Sequence, residues 1–343
     1  MLNTQAKHHT IGLVLLSLTA IFWGAGFVLN AQLLDKIFGD TPALLNAFRF
    51  VIATLFLLAI FNKKIRFNKD ILLYGGVAGL FLFAGFMLQT IGQKYTAPSH
   101  SGFFTASYAM FVPFIVWIAY KKRPSWIMFL GVAVAIVGLI VLNFKQEEAY
   151  SNKMWLGDLL TTISAVMFAL QIFWTDYSLK KGKVDVVQIT FWQVAIAGIL
   201  FVLYTVSVES RFYTAMNFDV SYGWWRLLIV VLGGTVLAYY SQSYAQGHNL
   251  SSTEVSLVLA CESPIGAFLS LILAIEAFSW QTIVGGVLVI LAVVLVEVIP
   301  GIVERKRKAP LPNACDPPSH NDTEPHKDET DKTSSDIEAN RTK

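Results

Sequence analysis

Glu262 stands near the middle of a long apolar run, about 12 residues from either end of it, and a charge placed at the centre of a bilayer costs on the order of 2.5–3.5 kcal/mol. It must be protonated, paired or wet. One chemistry open to it is to bind a substrate ammonium or a proton in alternation. The other is a plain ion pair, for which Arg49 is the partner, because it is the one Lys or Arg placed within the interior of a span. At a rise of 1.5 Å per residue Arg49 lies ~11 Å and Glu262 ~18 Å below the outer face, a gap that an arginine can close. Uncharged amides add a second set. Thr235, Tyr239, Gln242 and Gln246 recur at helical spacing, and Phe86, Gln89 and Gln93 repeat the pattern earlier in the chain. Amides and a phenol on one helix face offer donors and acceptors to a zwitterion or a polar neutral metabolite. The plainer use is hydrogen bonding between helices.

Trp23 and Tyr108 are the aromatic residues best placed to line a cavity; Gly24 and Gly26 beside Trp23 allow close backbone approach or tight helix packing. A further stripe, Asp158, Thr161, Ser164, Phe168, Gln171 and Thr175, runs along one helix, with Asp158 and Asp176 near its interfacial ends. Pro113 and Pro264 each free a backbone carbonyl and are candidate flex points for opening and closing.

The elements that position these residues follow from composition. Of 343 residues 55% are hydrophobic and 14% charged, against roughly 25% charged in a soluble domain. That excludes a soluble enzyme or a nucleic-acid binder. Windows of about 19 residues place spans near 11–34, 42–61, 71–93, 97–119, 125–143, 155–179, 186–207, 223–246, 250–274 and 278–299. Each matches a hydrocarbon thickness of ~30 Å. Lys and Arg then alternate between connections. Lys7, the 63–69 and 121–123 segments, Lys180 to Lys183 and Arg305 to Lys308 fall on one side, with few basic residues on the other. The positive-inside rule puts both termini in the cytosol. From residue 309 the chain holds five prolines and a net charge of −4; it reads as a disordered cytosolic tail.

The chain is written twice. Gln89–Gln93 matches Gln242–Gln246 at an offset of 153, Ser125, Trp126 and Gly131 match Ser279, Trp280 and Gly285 at 154, and Phe48–Ala53 falls on Trp192–Ala197 at 144. A unit of five helices is odd, so the second copy enters the bilayer upside down. The expectation is an all-α membrane protein of ten transmembrane helices in two inverted five-helix repeats, residues 1–146 and 147–302, followed by the tail 303–343. Inverted pairs place a shared cavity near the midplane that opens to alternate sides.

Phe22–Val28, Arg49–Phe50, the Gln89–Thr96 run leading into Ser101–Gly102–Phe103, Val112–Pro113, and Glu262 with Pro264, Glu276, Ser279 and Gly285 resemble the drug/metabolite transporter superfamily, in its ten-helix, two-repeat bacterial members. Two departures stand out: Ser263 separates Glu262 from Pro264, and Lys122 occupies the place of the first copy's loop glutamate. The resemblance implies an exporter or exchanger of amino acids or related small metabolites in the bacterial inner membrane.

Energy would come from a proton gradient or from exchange, since no GxxxxGK[ST] loop is present. Cys261 and Cys315 make no disulfide framework, and no CxxC or HExxH spacing offers a metal site, so neither cofactor nor metal is expected. The partners expected are a small-molecule substrate, the lipid bilayer and protons, with no nucleic acid; the oligomeric state is not readable. The second transport reading is an exchanger importing a nucleotide-like or sulfonium metabolite. A membrane-embedded enzyme or sensor is disfavoured, because His100 and His248 lie at span ends without a carboxylate motif beside them.

Overall fold

The computed structural model describes residues 2–39, 41–96, 98–121, 123, 125–143, 153–210, 220–273 and 280–308. Among these the chain is helical, with no strand: α1 (Leu2–Leu33), α2 (Pro42–Phe61), α3 (Lys69–Gln93), α4 (Pro98–Ala106), α5 (Tyr108–Tyr120), α6 (Trp126–Asn143), α7 (Met154–Lys180), α8 (Val186–Tyr204), α9 (Val220–Val231), α10 (Ala238–Gly247), α11 (Ser252–Ala260), α12 (Glu262–Ile272) and α13 (Trp280–Lys308). Eight helical stretches are long and apolar enough to cross a membrane, and Trp126–Val141 and Ile283–Leu295 are shorter apolar helices. Met1–Ile302 forms one compact unit. Val303–Lys343 is separate, and the acidic tail expected from residue 309 lies outside the described residues.

Polar caps start the helices where apolar sequence resumes. Asn68 accepts a hydrogen bond from the Ile71 amide at 2.7 Å, Asp185 accepts from Gln188 at 2.9 Å, and Ser251 with Glu254 forms a reciprocal capping box. Each satisfies amides that the first turn leaves without partners. Outward-facing Leu55, Ile60, Ile118 and Leu203 stay exposed, as side chains solvated by lipid must.

Small residues decide the closest crossings. A Cβ on Gly79 of α3 would meet Ile196 Cβ of α8 at 2.8 Å and the Gln193 carbonyl at 2.9 Å; on Gly24 of α1 it would meet the Glu262 carbonyl of α12 at 2.8 Å. In lipid, helix association rests on such packing. Gly79→Leu is therefore expected to force α3 off α8 and destabilise the fold by about 1–3 kcal/mol. Thermal unfolding in detergent measures it, and an unchanged midpoint would contradict the crossing.

Packing is reciprocal between the halves of the chain. α3 lies along α7 as α10 lies along α1, and α4 and α5 pack on α7 as α11 and α12 pack on α1. The fourth apolar stretch of each half breaks at matching places, Ser107 and Cys261, 154 residues apart. Flex points are expected at Pro113 and Pro264; the helix breaks themselves fall at Ser107 and Cys261. Pro113 sits inside an unbroken α5, while Pro264, third in α12, withholds the amide that the Ala260 carbonyl would need across the Cys261 break. At the other break Ser107 spends its hydroxyl on the Phe104 carbonyl, 2.5 Å away.

Candidate functional site

The cavity lies where these elements converge. Trp23, Phe27 and Asn30 of α1, Arg49 of α2, Phe86 and Gln89 of α3, Thr105 and Tyr108 at the α4–α5 break, Phe168 and Gln171 of α7, Tyr239 of α10 and Glu262 at the start of α12 all line it. Its free space is about 30 Å³, room for a water or two. A metabolite larger than that needs side chains or helices to move aside.

Four rings form its wall. Trp23 meets Tyr239 with centroids 5.8 Å apart, Tyr239 meets Phe86 edge-on at 6.4 Å, and Phe86 meets Phe168 edge-on at 5.0 Å. Phe86 and Tyr239 are the residues matched at an offset of 153, so equivalent side chains of the two matched segments touch each other.

The cation is held by a distorted helix. Residues Leu232–Leu237 form a π-helical segment between α9 and α10, where a widened turn leaves carbonyls free to bond outward. The Gly234 carbonyl accepts from Trp23 Nε1 at 2.8 Å and from Arg49 at 2.8 Å, and Arg49 Nε donates to Thr235 Oγ1 at 2.6 Å. Arg49 also lies over the Phe86 ring, 4.4 Å from its centroid. Gly233 must be glycine here, because a Cβ would run into the Phe22 ring.

Arg49 and Glu262 line the same cavity but do not pair: among the described residues no contact within 4.0 Å joins them, and the arginine's bonds go to Thr235 and Gly234. The direct ion pair weighed from the sequence is not formed. Depth estimates fixed the two levels but not the azimuth of either helix, and the π-helical carbonyl competes for the guanidinium. Glu262, 2% exposed, keeps Oε1 without a hydrogen-bond partner, as do Tyr239 Oη and Asn30 Oδ1, while the Tyr108 hydroxyl lies close enough to the Glu262 carboxylate to interact with it. Buried polar atoms are rarely left unpartnered. All four residues border the cavity, so a ligand or water there is what completes the unmet atoms.

The structure brings Trp23, Arg49, Gln89, Tyr108, Tyr239 and Glu262 together around this space. It leaves Gln93, Gln242 and Gln246 outside the lining. Gln242 Nε2 donates to Gln171 Oε1 at 3.2 Å, and Gln246 Nε2 donates to the Ile172 carbonyl at 2.9 Å. Their helix face is the one inferred from spacing, yet it turns toward α7. Asn30 and Thr105 escaped the sequence reading. Asn30 follows Trp23 by seven residues, two turns on the same face, a signal that was present; Thr105 is found only through Gln89, whose Nε2 donates to its Oγ1 at 3.0 Å. His100, expected to lack a carboxylate, has Asp158 Oδ1 3.6 Å from its Nδ1.

With this geometry in hand, the comparisons with known proteins point one way. The model of the EamA-like transporter family matches twice, over residues 10–144 and 155–298. The chain is similar to an uncharacterized transporter of Archaeoglobus fulgidus, 28% identical over 283 residues, which covers 82% of this chain and 84% of that one. A solved crystal structure superposes with a TM-score of 0.65 at 15% identity, covering 89% of this chain and 99% of that chain, a likeness of fold.

Proposed function

Because the chain belongs to the EamA-like transporter family of the drug/metabolite transporter superfamily, and is a multi-pass membrane protein, we propose that it is a proton-coupled secondary transporter exporting amino acids or related small metabolites by alternating access. Residues 1–146 and 147–302 act as two inverted five-helix repeats about the shared cavity. Reciprocal packing, matched breaks at Ser107 and Cys261, and the Phe86–Tyr239 contact support that arrangement. Both termini face the cytosol of the cytoplasmic membrane, on the distribution of Lys and Arg.

One observation carries the reading: a small cavity among the helices bearing a cation and a carboxylate that do not neutralise each other. A zwitterion satisfies both. Its carboxylate meets Arg49, its ammonium meets Glu262, and a proton takes the place of the ammonium on the return. Opening requires the wall to move, and the breaks at Ser107 and Cys261 lie next to Tyr108 and Glu262, so bending there shifts the lining directly.

The test is transport by purified protein in liposomes preloaded with amino acids. The expected result is efflux driven by a pH gradient and counterflow of the same compounds. Counterflow of nucleotide-like or sulfonium compounds without pH-driven flux would favour the exchanger instead, and transport of neither class would remove the proposal.

A further inference from the structure

A second polar feature runs from the cavity to one end of the helices. Gln89 and Gln93 stand one turn apart on α3, and Thr105 and Ser101 one turn apart on α4. The Gln89–Thr105 hydrogen bond of 3.0 Å joins the two helices at the cavity, so Gln93 and Ser101 lie a turn, ~6 Å, further out. Next come His100 and Asp158 with Nδ1 and Oδ1 3.6 Å apart, and Thr96, whose Oγ1 donates to Asp158 Oδ1 at 2.7 Å.

The burial of this series is unusual. Gln93 is 7%, His100 8% and Ser101 0% exposed, yet both polar atoms of Gln93, Nε2 of His100 and the Ser101 hydroxyl have no hydrogen-bond partner. Leaving one such group unmet costs about 1–3 kcal/mol, and three neighbouring side chains carry four such atoms. Groups in this position are met by internal water, which typically makes about three hydrogen bonds. At the inner end of the series Glu262 Oε1 is likewise unmet, beside the Tyr108 hydroxyl.

From this we infer that a hydrated path, bordered by Gln93, Ser101 and the Gln89–Thr105 pair, carries protons between Glu262 and the His100–Asp158 pair at the mouth. Resting on the proposed transport function and its topology, the path opens to the external face, because the α3–α4 junction belongs to the side poor in Lys and Arg. His100 and Asp158 collect the proton from outside water, and water relays it inward to the Glu262 carboxylate, which releases it to the cytosol after the cavity reopens there. The path separates proton entry from substrate exit. Among the described residues, the other ionisable groups beside the mouth are Lys94 and Tyr95 at the end of α3 and Lys153 before α7. Around Glu262 they are Tyr108 of α5, Tyr239 of α10 and Cys261, with Arg49 across the cavity.

Two measurements test the path. The first needs no substrate. In a chain with Cys261 and Cys315 replaced by alanine, Ser101→Cys is exposed to external Ag⁺, and the remaining free thiol is counted after unfolding. Ser101→Cys is expected to react within about tenfold of the surface control Lys36→Cys, as a water-lined site should, while Ala78→Cys, in dry packing, stays unreactive. A Ser101→Cys thiol as inert as Ala78→Cys overturns the path. The second compares two fluxes of an amino acid in liposomes. His100→Gln and Asp158→Asn are expected to lower pH-driven efflux by about tenfold or more, with counterflow kept within about twofold, since only the former needs proton delivery. Both fluxes unchanged, or both falling together, overturns proton conduction by this pair. If the unmutated protein moves no amino acid, the proposed function fails, and the Ag⁺ result still decides the path.

Discussion

Glu262→Gln is expected to stop pH-driven transport, by about a hundredfold or more, while leaving the fold intact. The side chain is 2% exposed and Oε1 has no partner, so the protein gains little stability from the carboxylate as it stands. Glutamine matches its size and removes the possibility of charge at a depth where charge costs on the order of 2.5–3.5 kcal/mol. The unfolding midpoint in detergent should therefore stay level or rise. What the variant loses is the exchange of proton for ammonium at one site. Efflux against a series of imposed pH gradients reads this directly: the variant's residual flux should be flat across the series. Unaltered efflux with an unaltered response to pH would eliminate Glu262 as the coupling group.

Arg49→Ala is expected to produce the opposite division, a loss of stability together with a loss of function. Its guanidinium ties α2 to the π-helical segment through Thr235 Oγ1 at 2.6 Å and the Gly234 carbonyl at 2.8 Å, and caps the Phe86 ring. Hydrogen bonds to a charged group contribute about 1.5–3 kcal/mol each, so two of them lost from a buried site amount to ~3–6 kcal/mol. Trp23 remains on the Gly234 carbonyl, which limits the damage to that end. Lysine is no substitute, because a single ammonium cannot reproduce the two-armed geometry. Arg49→Lys should recover part of the unfolding midpoint and little of the transport. If Arg49→Ala unfolded like the unaltered protein, the π-helical anchor would have no energetic role.

Some of the site was legible before any coordinates. Glu262 and Arg49 stand out as charges inside apolar runs, Gln89 and Tyr239 follow from helical spacing and the internal repeat, and Trp23 and Tyr108 from their depth in those runs. The same reasoning also nominated Gln93, Gln242 and Gln246, which do not border the cavity. The reason is physical: a period of 3.6 residues shows that polar groups share a face, and carries nothing about which neighbour that face meets. Gln242 and Gln246 meet α7, and Gln93 meets the mouth of the helices. The supposed Arg49–Glu262 pair failed in the same way, since a level in the bilayer is one coordinate and a contact needs three.

The flex points show a related limit. Proline is a visible breaker, and Pro264 does accompany the interruption at Cys261, yet α5 continues through Pro113 and the other interruption falls at Ser107. A membrane helix tolerates the lost hydrogen bond of a proline when packing holds it straight. A serine hydroxyl bonding back to the chain leaves no comparable mark in the sequence. His100 is the plainest case. Beside it in the chain there is no carboxylate, and Asp158, 58 residues on, arrives only because Gly92 and Gly157 let α3 and α7 approach closely enough to bring the α4 entrance onto α7.

By itself, then, the amino-acid order determined that this chain lives in a membrane as packed helices, that its halves echo each other, and that one acid and one base sit where charge is expensive. Those are consequences of composition and period, which act locally along the chain. Which polar groups share a cavity, which are left without partners, and where a buried histidine finds its aspartate were decided by helix rotation and by the glycines at the crossings. Such contacts join residues far apart in the chain, and only close packing in three dimensions fixes them.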